Sequence, residues 1–469
     1  MPELPEVETV KEILKTILIG SKITKVMVFY ERMIKSPINT FESSLVMKKI
    51  VDVSRIGKFL IIHFEDGTVL ISHLRMEGKF IECKENQNIS PYARVVFYLE
   101  DGRKICFDDT RKFGIMKVST QESYLKEEPL INVGPEPFFI KDANYLLNIY
   151  KNKKRPIKEV ILDQSIIAGI GNIYADETLY RCKLHPLTPT NNLNFEDCQN
   201  IIKHSIDVLN KAINLGGSTI RSYHANGIDG KFQNELLVYG KEGQKCNNQE
   251  CLAHYKKIFV NGRGTTYCPT CQRHRNQTFK IGVTGKIASG KSTIMKIFKE
   301  HNIPTISSDE IVHQLYDDEN VKLRVISLLG PESYKENKLN REYVKKIISL
   351  NAKFKDSLES IIHPLVRETI EEFIVNNKDK DIIAIEVPLL FESNMEDLFD
   401  ATMAINATLG DQIHNLQARG NDIDSSLKLN QNNAFEKYKK KLTYLLETNN
   451  NIDTLKEQVK NIINYIRKK

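Results

Sequence analysis

The chain has 469 residues, 41% hydrophobic and 27% charged, which excludes collagen, coiled coil and wholesale disorder as descriptions of the whole. That length suggests about three domains. Residues 1–279 carry the whole formal charge of +7, while residues 280–469 hold 28 basic and 28 acidic side chains. A basic first part suits nucleic acid, and a neutral second part suits a different partner. No apolar run approaches the roughly 18–20 residues that cross a bilayer. Acids stand where a secretory leader has basic residues, so a cytoplasmic protein with no membrane partner is expected.

In chain order, Val7 to Leu18 has helical periodicity. KITKVMVFY, KFLIIHF, TVLISHL, ARVVFYL and KICF, within 22–118, are short, β-branched and aromatic, and are separated by turns such as Asp66-Gly67 and Asp101-Gly102. They predict a β-sandwich or barrel. Residues 142–215 turn helical. A compact Cys/Gly segment follows at 240–277, then a linker. At Lys280 an apolar strand, a Gly-rich loop and a helix open an α/β nucleotide-binding domain. The Asn-rich stretches near 421–433 and 449–451 read as loops.

Three local patterns carry chemistry. Removal of Met1 makes Pro2 a secondary amine, whose pKa near 8 leaves much of it neutral and nucleophilic at about pH 7. Glu3 beside it is placed to shuttle protons. These residues alone do not separate that reading from an ordinary terminus. Cys246-x4-Cys251-x16-Cys268-x2-Cys271 has the composition of a tetrahedral zinc site. A finger held by packing alone, and His254 as a substitute ligand, stay open. Cys83, Cys106, Cys182 and Cys198 read as buried apolar residues. Gly285, Ala288, Ser289, Gly290, Lys291, Ser292 and Thr293 fall in G-x4-G-K-S-T. There, backbone amides cradle nucleotide phosphates, Lys291 neutralises them and Ser292 ligates Mg²⁺.

MPELPEVET, RIGKFL, HLRMEG, DDTRKFG, GPEP, AGIGNIYADE, GGSTIR, VYGKEG and GRGTTYCPTCQ occur in that order. Residues 1 to about 272 thereby resemble the formamidopyrimidine-DNA glycosylases, in one fold family with endonuclease VIII. The resemblance implies excision of oxidised purines (8-oxoguanine, formamidopyrimidines) from double-stranded DNA, then β,δ-elimination at the abasic site. It implies Pro2 as Schiff-base nucleophile, Glu3 as acid/base, Lys58 in base loss and β-elimination, and Arg263 in phosphate grip and δ-elimination. It also implies Met76, Arg111 and Phe113 as the wedge filling the void of a flipped base, with Tyr92, Lys153 and Asn172 on DNA. One structural zinc per chain is implied. In the glycine turn 168–172, backbone amides and the Asn172 side chain are expected to hold a phosphate.

KIGVTGKIASGKST, IPTISSDEIVHQLY, IIHPLVRETI and VPLLFES make 280–469 resemble dephospho-CoA kinase. That implies ATP with Mg²⁺, Asp309 as base toward the 3′-hydroxyl of dephospho-CoA, His363 and Arg367 at the acceptor site, and Arg419 in the lid. Lys286 and Ala288 depart from glycines usual in the loop, and Asn415 from a lid arginine. A slow kinase, or Arg419 and Lys437 covering the loss, both stay open. The expectation is thus a monomeric multidomain fusion: a β-sandwich (1–120), a helix–two-turn–helix domain (121–240), a zinc finger (241–277) and a P-loop kinase with a parallel sheet (280–469). The alternatives are a nucleotide-binding-only kinase domain and endonuclease VIII-like pyrimidine specificity.

Overall fold

The computed structural model describes residues 1–218, 230–275, 277–418, 423, 435–447 and 452–468. Arg419, most of the Asn-rich stretches and part of GGSTIR lie outside them. Two units emerge from the internal contacts: 1–240 with 257–267, and 241–256 with 268–469.

The first unit opens with helix α1 (Leu4–Leu18). Val7, Val10, Leu14 and Leu18 recur at helical spacing and are buried, and Pro5 sits in the first turn. The helix starts three residues before the predicted Val7 because the Glu6 carboxylate accepts from Glu3 N at 2.8 Å, closing the first turn. Next come β1 (Ile23–Val28), α2 (Ile38–Ser43), β2 (Ile50–Ile56), β3 (Phe59–Phe64), β4 (Thr68–His73), β5 (Lys79–Cys83), β6 (Ala93–Leu99), β7 (Lys104–Asp108) and β8 (Ile115–Thr120). They form two antiparallel four-stranded sheets, β1-β6-β7-β5 and β2-β3-β4-β8. Leu60, Ile62, Val95, Phe97, Phe107 and the inner face of α1 share one core. β2, β5 and β8 had no clear signal in the sequence: charged or hydroxyl residues interrupt each of them.

Helices α3 (Asn144–Tyr150), α4 (Ile157–Ile161), α5 (Asn172–Arg181) and α6 (Phe195–Asn214) build a second core. Asn194 caps α6 by accepting from Asp197 N at 2.8 Å. A hairpin of β9 (Lys256–Val260) and β10 (Arg263–Tyr267) follows. Its turn uses positive φ at Asn261 (47°) and Gly262 (72°).

In the second unit β11 (Phe279–Thr284) leads to α7 (Lys291–Glu300), β12 (Thr305–Ser307), α8 (Ser308–Leu315) and α9 (Glu319–Leu329). The hairpin β13 (Tyr334–Lys335)/β14 (Lys338–Leu339), α10 (Arg341–Leu350), α11 (Ala352–Asn376), β15 (Ile382–Glu386), β16 (Ala401–Asn406) and α12 (Leu409–Ala418) come next. The last elements are α13 (Phe435–Tyr438), β17 (Tyr444–Glu447) and α14 (Ile452–Arg467). The five-stranded sheet runs β12-β15-β11-β16-β17, and its neighbours pair in parallel. Ile382 to Ala384 and Ala401 to Ala404 are buried on both faces, which is why they read as continuous apolar runs.

Candidate active sites and metal centre

The N-terminus folds inward. Pro2, Glu3, Leu4 and Pro5 are buried, while Met1 is exposed. Leu4 N donates to Gly169 O at 3.1 Å, which draws the first residues against the glycine turn before α5. Glu3 lies at the N-terminus of α5 and accepts from Ile173 N (3.0 Å) and Tyr174 N (3.4 Å). Gly171 is required there, because a Cβ would lie 2.2 Å from Glu3 Cδ. The first amides of α5 after the glycine turn, Ile173 N and Tyr174 N, thus serve Glu3.

Lys58 is brought beside this carboxylate by the tight turn between β2 and β3. Its Nζ donates to Ile170 O at 2.8 Å. The turn is fixed by Arg55, which forks onto Glu136 at 2.7 and 3.0 Å, while Gly57 N donates to the same carboxylate. Burial raises the Glu3 pKa to about 7, opposed by Lys58 and reinforced by Glu6. Burial lowers the Lys58 pKa to about 8, opposed by Glu3, with Arg263 adding to the drop. An acid and a base, both buried, thus titrate near neutrality in one pocket. His73 nearby is pushed down to about 3 by burial, then by Arg75 and Lys58. Its Nδ1 accepts from Arg75 N at 2.9 Å.

Sequence reasoning missed Glu6, which accepts from Ser218 N (2.7 Å) and the Tyr174 hydroxyl (2.5 Å). Its position three residues after Glu3 was the available signal. It also missed the buried pair Lys158–Asp176 at 2.5 Å. Asp176 also accepts from Thr266 N at 3.0 Å, which pins β10. Asn172 Nδ2 donates to Gly264 O at 2.9 Å, so this side chain holds the hairpin too. Arg263 opens β10 and is exposed. Its charge reaches both Lys58 and Lys158.

The wedge residues lie on two loops that run from one sheet to the other. β4 pairs with β8 at His73↔Ile115, and β5 pairs with β7 at Lys79↔Asp108. The loop holding Met76 and the loop holding Arg111 and Phe113 therefore run side by side, joined by a Thr110–Glu77 hydrogen bond. Met76 and Phe113 are 43% and 53% exposed, unusual for large apolar side chains on adjacent loops. Arg111 lies over the Phe113 ring at 5.0 Å. Asp109 shapes this loop by accepting from Arg111 N and Gly114 N. Exposed Tyr92 is tied in through its carbonyl, which accepts from Asp109 N at 3.0 Å. Lys153 lies between α3 and α4, and is not drawn into the Glu3–Lys58 cluster.

In the second unit the P-loop joins β11 to α7. Gly285 and Gly290 take φ of 134° and 101°, and Ala288 takes 60°. Lys291 Nζ donates to Gly285 O and Lys286 O, each at 3.0 Å. Ser289 Oγ is buried without a hydrogen-bond partner among the described residues. Asn415 Nδ2 donates to Ala288 O at 2.9 Å. This backbone cradle fits nucleotide phosphates, with Ser292 and Thr293 opening α7 beside Lys291. Asp309, exposed in the first turn of α8, borders a cleft of about 670 Å³ also lined by His313, Tyr316, Arg341 and Lys345. His363 and Arg367 are not among its lining residues, and Arg367 pairs with Asp397 at 2.6 Å and Glu371 at 3.0 Å. Sequence reading missed His313, Tyr316, Arg341 and Lys345; the spacing of His313, one turn after Asp309, was the available signal.

The four clustered cysteines converge. Their sulfurs lie within 4.8 Å of one another, Cys246–Cys271 at 3.7 Å and Cys251–Cys268 at 3.6 Å. Zinc–sulfur bonds of about 2.3 Å in a tetrahedron set sulfurs about 3.8 Å apart, so this set fits a structural zinc. The two-residue expansion of the first pair does not prevent it.

Residues 1–116 match the family model of the formamidopyrimidine-DNA glycosylase N-terminal domain, and residues 133–224 match that of its H2TH domain. Formamidopyrimidine-DNA glycosylase of Exiguobacterium sibiricum is 42% identical over 276 residues, covering 58% of this chain and 99% of the relative. The chain belongs to the formamidopyrimidine-DNA glycosylase family. The Bacillus cereus glycosylase is 40% identical over 276 residues, with the same coverage. Lactococcus lactis Fpg, solved with DNA containing N7-benzyl-Fapy-dG, is 39% identical with a TM-score of 0.55, covering 58% of this chain and all of that one. The same protein solved with abasic-site DNA matches equally, over 99% of its chain. Beyond the glycosylase, residues 279–453 match the dephospho-CoA kinase family model. The glycosylase is fused to a dephospho-CoA kinase domain. No helix among the described residues is long and apolar enough to cross a membrane.

Proposed function

We propose that the first unit excises oxidised purines from duplex DNA and cleaves the resulting abasic site, with Pro2 as the nucleophile. The buried Glu3–Lys58 pair beside Pro2 carries this reading. Once Met1 is removed, the Pro2 nitrogen attacks the sugar C1′. The bond from C1′ to the base breaks, and the base leaves with a proton. Glu3, titrating near 7, exists in both forms at neutral pH. It gives a proton to the sugar ring oxygen as the iminium forms. Loss of a C2′ proton then expels the 3′ phosphate, and Arg263 attends the second elimination. Met76, Arg111 and Phe113 fill the vacated stack. The Lactococcus lactis relative was solved with Fapy-dG DNA, which favours purine over pyrimidine lesions. The cysteine set would hold zinc in a structural role.

For the second unit we infer transfer of the ATP γ-phosphoryl to the dephospho-CoA 3′-hydroxyl. Asp309 takes the hydroxyl proton as the oxygen attacks phosphorus and ADP leaves. Lys291 balances the phosphate charge, and bound Mg²⁺ supplies electrostatic stabilisation of the transferring group. The full-length chain, assayed on 8-oxoguanine duplex and on dephospho-CoA with ATP, tests both. Excision without CoA formation would leave a nucleotide-binding domain only. Preference for oxidised pyrimidines would replace the purine reading.

A further inference from the structure

The segment bearing the four cysteines is grouped with the kinase domain, in the second unit. Several of its polar groups are satisfied by the last strand and helix of that domain. The Tyr465 hydroxyl, on α14, lies 3.0 Å from Cys271 Sγ. Asn248 Nδ2, from the cysteine segment, donates to the same hydroxyl oxygen at 3.0 Å. Thr270, between Cys268 and Cys271, shares a 2.5 Å hydrogen bond with the Tyr444 hydroxyl at the start of β17. His254 N donates to Thr443 O, and Arg273 Nη1 donates to Ile466 O at 2.7 Å. Tyr444, Tyr465, Thr270 and all four cysteines are buried, so the Tyr465–Cys271 and Thr270–Tyr444 bonds form away from water.

Resting on the structural-zinc reading above, we propose that this metal centre is built jointly. The cysteine segment supplies the thiolates, and the kinase domain supplies the hydroxyls that orient them. Tyr465 is a positioning residue that donates to the Cys271 sulfur and receives Asn248. The matched glycosylases are spanned by 276 residues of this chain, and the kinase match ends at 453. Tyr465 therefore lies outside both matched regions. A thiolate bound to zinc keeps lone pairs and negative charge, so a buried O–H aimed at it stabilises the bound form. Partners of this kind change metal affinity by about 10–100-fold. The coupling is reciprocal: a metal that needs Tyr465 in place also holds α14 in place.

The test uses the full-length zinc-loaded protein. Wild type and Tyr465→Phe are compared for zinc content by mass spectrometry and for zinc release to 4-(2-pyridylazo)resorcinol. The expected result is one zinc in each, with release about 10–100-fold faster from the variant. The metal-free forms of the two should melt alike, which a simple packing defect would not allow. Should Tyr465→Phe fail to fold, Asn248→Ala gives the same readout and is expected to speed release less. Hydrogen exchange across 452–467 should slow when zinc is added to metal-free wild type. Equal release rates, or exchange indifferent to zinc, overturn the joint centre while leaving the zinc reading intact. Wild type that takes up no zinc overturns the zinc reading itself.

Discussion

Glu3 concentrates the residue-scale argument. A carboxylate at a helix N-terminus is ordinarily stabilised in its charged form. Here burial outweighs the helix, two backbone donors and Lys58, and the pKa rises to about 7 from 4.5. The folded state therefore holds a proton that the unfolded state has lost between pH 4.5 and 7. Stability falls as pH rises through that window and is level on either side, as far as Glu3 is concerned. Glu3→Gln, whose one amide oxygen keeps the 3.0 Å bond from Ile173 N and gives up the 3.4 Å bond from Tyr174 N to the other carboxylate oxygen, should flatten the dependence of the first unit's melting midpoint between pH 4.5 and 7. Excision should fall by about 10²–10⁴-fold in the same variant. A midpoint profile identical to wild type would mean that Glu3 is charged throughout. The neighbouring nucleophile is tested by borohydride: Pro2→Gly, or a tag left before Pro2, should abolish covalent trapping on 8-oxoguanine DNA. Undiminished trapping by tagged protein would remove Pro2 from the mechanism.

Among elements, the hairpin β9–β10 depends on contacts remote in sequence. Lys158 and Asp176 have no exposed side-chain surface, and together with Asn172 they hold Gly264 and Thr266. Breaking a buried ion pair from one side leaves an uncompensated charge and costs about 3–5 kcal/mol. Asp176→Asn alone should therefore destabilise the first unit strongly. Adding Lys158→Met should restore much of the loss, because the amide oxygen introduced by Asp176→Asn still accepts from Thr266 N. A double variant no more stable than the single one, in chemical denaturation, would show that the charge was not the problem. This pair also marks where legibility stopped. The sandwich strands KFLIIHF and ARVVFYL, and the P-loop between strand and helix, announce themselves by local periodicity and punctuation. Lys158 and Asp176 look like ordinary helix-surface charges, and only the tertiary fold buries them. The same holds for the Glu3 and Lys58 environment: the residue types were readable, but the depth that shifts their pKa values was not. The N-terminus of α5 serves the Glu3 carboxylate 170 residues away, which no local pattern encodes.

At the scale of the molecule, the residues assigned to the two chemistries fall in different units. Pro2, Glu3, Lys58, Asn172 and Arg263 lie in the first, while Lys291 and Asp309 lie in the second. Each unit has its own apolar cores, and the two reactions share no assigned residue. Lys291 and Asp309 serve one reaction by different means. Lys291 is held at the cradle by Gly285 O and Lys286 O, which sets its ammonium beside the loop backbone. Lys291→Ala should therefore weaken ATP binding and abolish CoA formation together. Asp309 is exposed at the edge of the cleft lined by His313, Tyr316, Arg341 and Lys345. Asp309→Asn should leave ATP affinity nearly intact, and turnover should drop by about 10²–10⁴-fold, the scale of a lost general base. Both variants should excise 8-oxoguanine at the wild-type rate. Calorimetric ATP titration, CoA formation and base excision on the same preparations separate these outcomes. Wild-type turnover by Asp309→Asn would reduce Asp309 to an acidic residue favouring the N-terminus of α8. Excision lost in either variant would show that the two chemistries are coupled through the chain that joins them.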